Sequence, residues 1–364
     1  MLPETPCLMI DEAVMRLNLK RMAEACAGYE CLLRPHVKTH KCPDLAKIQS
    51  EYGSAAITVA KLSEAEIFVQ AGFSDIFMAY PLVGAEKLKR AAKLSRCIRL
   101  ILATDSRIGA KALSETAVEE GVEFELRVEV DTGMHRSGVP IESAISFAQL
   151  ISKLPGLKLT GIFTYRNLIY EGRPSPDVEK CGIDEGRIMV QLKEDMQKNG
   201  ILINDVSVGS TATAIHCASV PGVTEVRPGT YIFYDTMQAD KGACDETMYA
   251  AHVDATVISV KGKLVVIDAG SKSISTDCPP DKPPYNFKGF GKVLQHENLI
   301  LRSMTEEHGM LENLSPSDMF SVGDRLSIVP NHICTTVNLY DYAYLVGVGA
   351  DIKRIELQAR GANT

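Results

Sequence analysis

The sequence predicts an α/β fold in which a closed (β/α)8 barrel is followed by a β-rich C-terminal domain. Short apolar runs alternate with amphipathic stretches between residues 30 and 235. Eight strand–helix repeats over roughly 200 residues match the length and rhythm of such a barrel. A doubly wound open sheet is the alternative, but it does not need eight similar units. After Asp235 the pattern changes to strands with few helices between them.

The eight apolar runs predicted as barrel strands are 32–36, 56–60, 76–79, 98–103, 124–130, 157–163, 205–208 and 223–226. Amphipathic stretches between them predict helices at 63–71, 84–94, 108–120 and 183–199. This alternation favours a parallel sheet with helices on its outer face.

The chain beyond Asp235 predicts a domain made mostly of strands, at 250–260, 263–268, 298–304, 325–329 and 342–346. The segment 278–288 contains four prolines and predicts a loop. We therefore expect a barrel domain at 8–236 and a second domain at 237–364 that includes residues 1–7. The apolar run 7–10 could add a strand to either domain.

Composition excludes several classes of protein. The 364 residues carry a net charge of −7 without a separate basic patch, so nucleic acid is not an expected partner. No stretch reaches the ~18–20 apolar residues of a membrane span, and the start lacks the basic residues of a signal peptide. Ten cysteines without a Cys-x-x-Cys pair indicate reduced thiols in a cytoplasmic protein.

Polar residues follow several predicted strands, where barrel enzymes place their active groups. Lys38 follows the first strand, and its amine could form a Schiff base if neighbouring cations such as Arg34 lower its pKa. A solvated basic loop is the alternative for this segment. The loops after strands seven and eight contain Ser210, Thr211, Gly229 and Thr230, and such loops commonly hold a phosphate.

The segment His332-Ile333-Cys334 is a candidate metal site. In an extended chain these two side chains point to the same side, and an imidazole with a thiolate suits zinc. A packed pair without a metal is the more common arrangement for an isolated His-x-Cys.

The motifs together resemble those of the D-threonine aldolase and D-serine dehydratase family, whose barrel is of the alanine racemase type. The resemblance extends over nearly the whole chain and is carried by these segments: Arg34-Pro-His-Val-Lys-Thr-His-Lys41, Asp131-x-Gly-x-x-Arg136-x-Gly138, Gly209-Ser-Thr211, Glu225-x-Arg-Pro-Gly-x-Tyr231, Asp268-Ala-Gly-Ser271 and Pro330-Asn-His-Ile-Cys334. The lysine motif and the last segment are the most specific of these.

The resemblance implies a role for each matching residue. Lys38 would carry pyridoxal 5′-phosphate (PLP), Arg136 would lie near the ring oxygen of the cofactor, and Tyr170 would flank its ring. The phosphate would be held by Thr211, Gly229 and Thr230, and Ser210 and Tyr231 would also bind the cofactor. His332 and Cys334 would bind a divalent metal, with zinc favoured over manganese or magnesium. The resemblance also implies a homodimer.

The chain departs from the family after the sixth strand, where two family histidines are replaced by Tyr165 and Leu168. Tyr165 and the neighbouring Arg166 are therefore candidate substrate-binding residues. The second of these histidines is a candidate base for the β-hydroxyl group in the aldolases, and Leu168 cannot accept a proton. Arg166 could pair with a second anionic group of the substrate, or with a loop carboxylate such as Glu171 or Asp177.

The resemblance and the departures together favour a PLP- and metal-dependent lyase of small β-hydroxy D-amino acids. Within the family, dehydratases resemble this His-x-Cys, whereas aldolases tend to have Asp at the second position. Cys334 and the missing histidine therefore favour β-elimination over retro-aldol cleavage to glycine and an aldehyde. A racemase or a non-catalytic PLP carrier remains a further alternative, against which the C-terminal domain counts.

Overall fold

The computed structural model describes residues 2–54, 56–347, 349 and 351–364, and the chain forms two compact units. The barrel unit comprises Arg21–Lys38, Leu45–Gly229 and Gly361–Thr364. The strand-rich unit comprises Met1–Lys20, Thr39–Asp44 and Thr230–Arg360. The chain passes from the barrel unit to the strand-rich unit at Thr230, before the domain boundary predicted at residue 237. Across the described ranges, no helix has both the length and the apolar character to cross a membrane.

The strands, numbered in chain order, are β1 (Cys7–Asp11), β2 (Leu32–Leu33), β3 (Ile57–Val59), β4 (Asp75–Pro81), β5 (Arg99–Thr104), β6 (Phe124–Asp131), β7 (Val139–Pro140), β8 (Leu157–Phe163), β9 (Ile169–Tyr170), β10 (Arg173–Pro174), β11 (Asp205–Val208), β12 (Glu225–Val226), β13 (Ala251–Lys261), β14 (Leu264–Ile267), β15 (Gly291–Val293), β16 (Leu299–Met304), β17 (Gly309–Asn313), β18 (Arg325–Pro330), β19 (Tyr342–Val346) and β20 (Ile352–Glu356).

The α-helices are α1 (Glu12–Ala27), α2 (Pro43–Ser50), α3 (Leu62–Gln70), α4 (Ala85–Ser95), α5 (Arg107–Glu120), α6 (Ile141–Ile151), α7 (Val178–Lys198), α8 (Ala214–Ala218), α9 (Thr236–Asp240) and α10 (Ile333–Val337). Short 3-10 helices cover Val37–Thr39, Thr230–Ile232 and Glu246–Met248.

Eight parallel strands form the barrel, in the order β2-β12-β11-β8-β6-β5-β4-β3. The two ends of this order meet through a parallel bridge between His36 and Thr58, which closes the sheet. Each of the eight apolar runs predicted from the sequence contributes one of these strands, so the barrel prediction is confirmed.

The first and last barrel strands are shorter than predicted, with two residues each. Pro35 follows β2 and Pro228 follows β12, and a proline lacks the N–H that would continue the ladder. After each proline the chain turns into a 3-10 helix, at Val37–Thr39 and Thr230–Ile232. These turns give the segments that carry Lys38 and Gly229 their irregular backbone.

The interior of the barrel combines an apolar cluster with buried charges. Phe77 and Phe163 pack edge to face with ring centroids 5.0 Å apart, and Ile101 and Ala103 complete the cluster. Glu225 accepts hydrogen bonds from Arg34 Nε and Arg127 Nη1, each at 2.5 Å. Burial raises the pKa of Glu225, but the two guanidinium groups outweigh that effect and hold its pKa below the usual range. The ionised carboxylate on β12 thus links this strand to β6 and to the residue that follows β2.

The sheet of the strand-rich unit has the order β16-β17-β14-β13-β1-β19-β20, and β18 pairs with β13 and β15. β1 lies antiparallel to β13 and parallel to β19, so the N-terminal apolar run belongs to this sheet. The five strands predicted after Asp235 are present, and segment 278–288 contains no helix or strand. Strands β15, β17 and β20 had no clear signal in the sequence. β15 and β17 begin at glycine, and β20 is an edge strand that carries charged residues.

Candidate active site

Lys38 lies in the 3-10 helix that follows β2, and its side chain is exposed. The preceding segment is fixed on both sides, because His36 N–H donates to the Pro228 carbonyl at 2.9 Å and Thr58 N–H donates to the Pro35 carbonyl at 2.7 Å. Thr58 Oγ1 also donates to the Arg34 carbonyl at 3.1 Å. The lysine is therefore an accessible amine on a segment held by both neighbouring strands of the barrel.

The expectation that Arg34 acts as a free cation beside Lys38 is wrong. Its side chain is fully buried in the barrel and pairs with Glu225 and Asp75, both at 2.5 Å. The positive charge is balanced within the barrel interior, so Arg34 serves the closure of the sheet.

The loop after β6 carries Arg136, and its shape depends on Asp131. Asp131 Oδ1 accepts hydrogen bonds from the backbone N–H groups of Gly133 at 2.9 Å and His135 at 3.0 Å. Gly138 has φ +102°, and a Cβ there would lie 2.6 Å from the Asp131 nitrogen. These contacts explain the Asp-x-Gly-x-x-Arg-x-Gly spacing as a compact loop that presents Arg136 at the end of the strand.

The structure brings together two of the residues predicted from the sequence, Arg136 and Tyr165. The Arg136 guanidinium carbon lies 4.9 Å from the centre of the Tyr165 ring, in a cation–π contact. Tyr165 stands where the family has its first histidine, and it is partly buried after β8. The ring thus supports the arginine that the family resemblance assigns to the cofactor.

Arg166 is not an unpaired cation, which corrects one expectation from the sequence. Its side chain is 2% exposed, and Nη1 lies 2.6 Å from Asp184 Oδ2 on α7. The carboxylates proposed as structural partners, Glu171 and Asp177, are not this partner. Among the described residues, Arg166 Nε has no hydrogen-bond acceptor. The pairing with Asp184 supports a structural role in which Arg166 fixes the loop after β8 to α7.

Tyr170 lies in β9, which forms a two-residue hairpin with β10. Its side chain is half-buried, and its hydroxyl is hydrogen bonded to Glu171. A Cβ on Gly133 would lie 3.6 Å from Ile169, so this hairpin lies against the loop that follows β6.

The loops after β11 and β12 converge, as expected for a phosphate site. Gly229 N–H donates to Thr211 Oγ1 at 3.2 Å, which joins two of the predicted phosphate ligands. Ser210 N–H donates to Thr213 Oγ1 at 3.0 Å, and Gly209 has φ +82°. Backbone amides and hydroxyl groups from two loops are the kinds of donor that bind a phosphate, so the residues fit the phosphate of PLP if the Gly229 and Ser210 amides exchange their threonine partners for it.

Glu185, which the sequence analysis did not single out, organises this loop. It is fully buried on α7 and accepts from the Gly209 N–H at 3.0 Å and from Thr213 Oγ1 at 3.3 Å. Burial raises the pKa of Glu185 above its ordinary value. A glutamate in the middle of an amphipathic helix gave no signal in the sequence that its side chain points inward.

Within the strand-rich unit, Thr230 and Tyr231 belong to a buried 3-10 helix. Thr230 Oγ1 lies 3.5 Å from Cys334 Sγ, and the Cys334 thiol donates to Thr39 Oγ1 at 3.3 Å. Thr39 follows Lys38 directly in the chain, and Thr230 follows Gly229. The cysteine predicted as a metal ligand therefore contacts the residues next to two of those predicted to hold the cofactor.

His332 and Cys334 are in contact, but the geometry assumed for them is wrong. His332 is extended and precedes α10, whereas Cys334 lies in the first turn of that helix. Their side chains meet because the cap and the first turn of a helix lie close together, and the two side chains interact there. An extended segment is therefore not what places the two side chains side by side.

Two further candidate ligands, Asp277 and Cys278, accompany His332. The donor atoms of these three residues all lie within 4.8 Å of one another. His332 Nδ1 is 2.7 Å from Asp277 Oδ2. Desolvation lowers the pKa of His332, but the Asp277 carboxylate and the neighbouring sulfurs outweigh it and raise that pKa overall. The donor set of imidazole, thiol and carboxylate fits a divalent metal of borderline softness such as zinc.

Comparisons with known proteins agree with this architecture. Residues 10–237 match the family model for the alanine racemase N-terminal domain, and residues 250–346 match a serine dehydratase domain. The fold and the two matches define an enzyme with an alanine racemase-type barrel and a dehydratase-type C-terminal domain.

Characterised relatives are similar over nearly their whole lengths. The chain is 34% identical to D-threo-3-hydroxyaspartate dehydratase of Delftia sp. (strain HT23), covering 92% of this chain and 91% of the relative. It is 30% identical to D-serine dehydratase of Dictyostelium discoideum, over 93% and 92%. It is 29% identical to D-threonine aldolase of Arthrobacter sp., over 98% and 93%. The chain therefore belongs to the D-threonine aldolase and D-serine dehydratase family, which confirms the resemblance seen in the sequence.

Two solved structures of D-threo-3-hydroxyaspartate dehydratase superpose on the chain, each with a TM-score of 0.90 and 32% identity. One has a histidine replaced by alanine and covers 97% of this chain, with 95% of its own length matched. The other has a cysteine replaced by alanine, is described as the metal-free form, and matches 97% of each chain.

Proposed function

We propose that this lyase is a PLP- and divalent-metal-dependent dehydratase that removes water from small β-hydroxy D-amino acids, giving a 2-oxo acid and ammonia. Its relatives are dehydratases and aldolases of β-hydroxy D-amino acids, so the reaction class follows from family membership. The choice of elimination rests mainly on the thiol of Cys334, which lies beside His332 where the aldolases tend to have a carboxylate.

The barrel unit supplies the residues that would hold PLP. Lys38 offers an accessible amine for the Schiff base, and the converging amides and hydroxyls of Ser210, Thr211 and Gly229 fit the phosphate. When bound, PLP withdraws electrons from the bonds at Cα of an amino acid joined to it. Arg136, supported by Tyr165, is the cation proposed to lie near the ring oxygen.

The strand-rich unit supplies the residues that would hold the metal. His332 and Cys334 are the proposed ligands, and a bound zinc ion would act as a Lewis acid on the β-hydroxyl group. Two solved structures of the related dehydratase carry replacements of a histidine and a cysteine two positions apart, the same spacing as His332 and Cys334. The cysteine variant is described as metal-free, which supports an equivalent role for Cys334.

The proton transfers of the reaction are assigned to side chains of this protein. The amine of Lys38, once released from the cofactor, is the base proposed to take the proton from Cα. Retro-aldol cleavage instead requires a base for the β-hydroxyl proton, and Leu168 offers none where the family has a histidine. Lys38 is thus available to take the Cα proton, whereas the histidine that is the candidate base for the hydroxyl proton in the family is replaced by Leu168 in this chain.

Three finer features belong to the same proposal. Zinc is favoured over manganese or magnesium because the site contains sulfur. A homodimer follows from the family resemblance. A cytoplasmic location is consistent with the ten cysteines, none of which forms a disulfide bond in the part of the chain that the structure describes.

Removal of the metal tests this function. Incubation with a chelator should abolish the formation of 2-oxo acid and ammonia from D-serine, while the visible absorbance of PLP persists. Added Zn²⁺ should restore the activity. Full turnover in a preparation shown by elemental analysis to be free of metal would contradict the proposal.

A further inference from the structure

We infer that Cys278 is a third protein ligand of the metal, so that His332, Cys334 and Cys278 form a Cys2His site with one position open to the substrate. The inference rests on the proposed metal site at His332 and Cys334 and extends it to a residue of the proline-rich loop.

The first observation is the position of the Cys278 thiol. Its sulfur lies within 4.8 Å of the donor atoms of His332 and Asp277. Two ligands of a tetrahedral zinc ion, with bonds of about 2.0–2.3 Å, lie roughly 3.5 Å apart. A modest adjustment of the Cys278 and His332 side chains would therefore bring their donor atoms to the separation of two ligands of one ion.

The second observation concerns the two nitrogens of His332. Nδ1 is engaged by Asp277 Oδ2 at 2.7 Å, which leaves Nε2 as the metal-binding nitrogen. The ring also interacts with both sulfurs, Cys278 and Cys334. The two thiols therefore approach one imidazole, as the ligands of a common ion do.

Asp277 is a positioning residue in this arrangement. Its other carboxylate oxygen, Oδ1, accepts hydrogen bonds from Ser275 Oγ at 2.6 Å and Thr335 Oγ1 at 3.1 Å. Both oxygens of Asp277 thus have protein partners, and the carboxylate orients the His332 ring in the manner of a carboxylate–histidine–zinc triad. Because Asp277 orients the His332 ring and does not bind the metal itself, the sulfur of Cys278 is the third ligand.

The loop that carries Cys278 is held next to the other ligands. Asn331 Nδ2 donates to the Cys278 carbonyl at 2.9 Å and to the Gly289 carbonyl at 2.8 Å. Asn331 directly precedes His332, so one residue fixes both segments of the proposed site. Three protein ligands with an open fourth position are the arrangement of catalytic zinc, and Cys2His is one of its known ligand sets.

Cobalt substitution tests the inference without measuring activity. Thiolate-to-Co(II) charge-transfer absorption in the near ultraviolet scales with the number of sulfur ligands. We expect Cys278→Ser and Cys334→Ser each to lose about half of this absorption, and the double variant to lose all of it. Cys244→Ser, which removes a cysteine of similar exposure in the same unit, should keep the full absorption. Co(II) affinity of Cys278→Ser should fall by at least roughly tenfold.

Two results separate the failure of this inference from the failure of the proposed function. If Cys278→Ser keeps the full absorption while Cys334→Ser abolishes it, the inference is overturned and the site at His332 and Cys334 stands. If Cys334→Ser keeps the full absorption, or the unmodified protein shows none, the proposed metal site falls as well. Thermal unfolding of each variant shows whether a spectral loss comes from a protein that has not folded.

Discussion

The buried ion pair of Arg166 bears on the expectation that this residue binds a second anionic group of the substrate. Its guanidinium pairs with Asp184, so it does not need an anion from the substrate to balance its charge. We therefore predict that any preference for acidic β-hydroxy amino acids comes from other residues.

We expect Arg166→Ala to reduce kcat/KM for D-serine and for D-threo-3-hydroxyaspartate by the same factor. The free energy of unfolding should fall by about 1–3 kcal/mol, below the value for a fully buried pair because Asp184 is 21% exposed. Arg90→Ala, which breaks a half-buried pair with Glu66, is the control and should change stability by less than ~1 kcal/mol. A much larger loss on the acidic substrate would show that Arg166 binds the substrate.

Lys38 is the residue on which the cofactor assignment depends. We expect the purified protein to be yellow, and borohydride should fix the cofactor to the peptide that contains Lys38. Lys38→Ala should be colourless and inactive, because Lys41, the other amine of this motif, is buried. Lys61→Ala, at the end of β3, is a control that should keep its colour. Cofactor trapped on another lysine would refute the assignment.

The sequence could predict candidate site residues only where they follow strands or match a motif. Lys38, Arg136 and Thr211 have such positions. Glu185, Asp277 and Cys278 do not, because their contacts depend on long-range packing: Glu185 reaches Gly209 from a helix, and the loop with Cys278 is held by Asn331. The charge of Arg166 was visible in the sequence, but its partner on α7 was not.

At the scale of elements, the loop after β6 depends on two glycines and Asp131. We expect Gly138→Ala to weaken PLP binding, because the new Cβ would lie 2.6 Å from the Asp131 nitrogen and displace the segment that carries Arg136. Gly72→Ala is a matched control, since Gly72 has φ +100° but no atom within 4 Å of its built Cβ. Titration of the apo-proteins with PLP measures the effect. Equal affinities for the two variants would argue against this role of the loop.

Helix α10 illustrates why local geometry was harder to predict than strand positions. The segment from His332 contains β-branched residues and reads as extended, yet Ile333–Val337 is helical. Asp235 fixes its start, because Oδ2 accepts from the Ile333 N–H at 2.9 Å. A capping residue almost a hundred positions away cannot be identified from the sequence around the helix.

At the scale of the whole molecule, the barrel was predictable because each strand is a short apolar run bounded by turns. The closing bridge between His36 and Thr58 joins the two ends of the strand order. The strand-rich unit was less predictable, since its sheet combines β1 from the N-terminus with β19 near the C-terminus. Pairing at such sequence separations leaves no local pattern.

The central claim, that this chain eliminates water rather than cleaving Cα–Cβ, is tested most directly by a product balance. The metal-loaded enzyme is incubated with D-serine, D-threonine and D-threo-3-hydroxyaspartate, and 2-oxo acid, ammonia, glycine and aldehyde are quantified together. We predict equal amounts of 2-oxo acid and ammonia from each substrate that turns over, without glycine. Glycine with an equal amount of aldehyde would contradict the account and identify the enzyme as an aldolase.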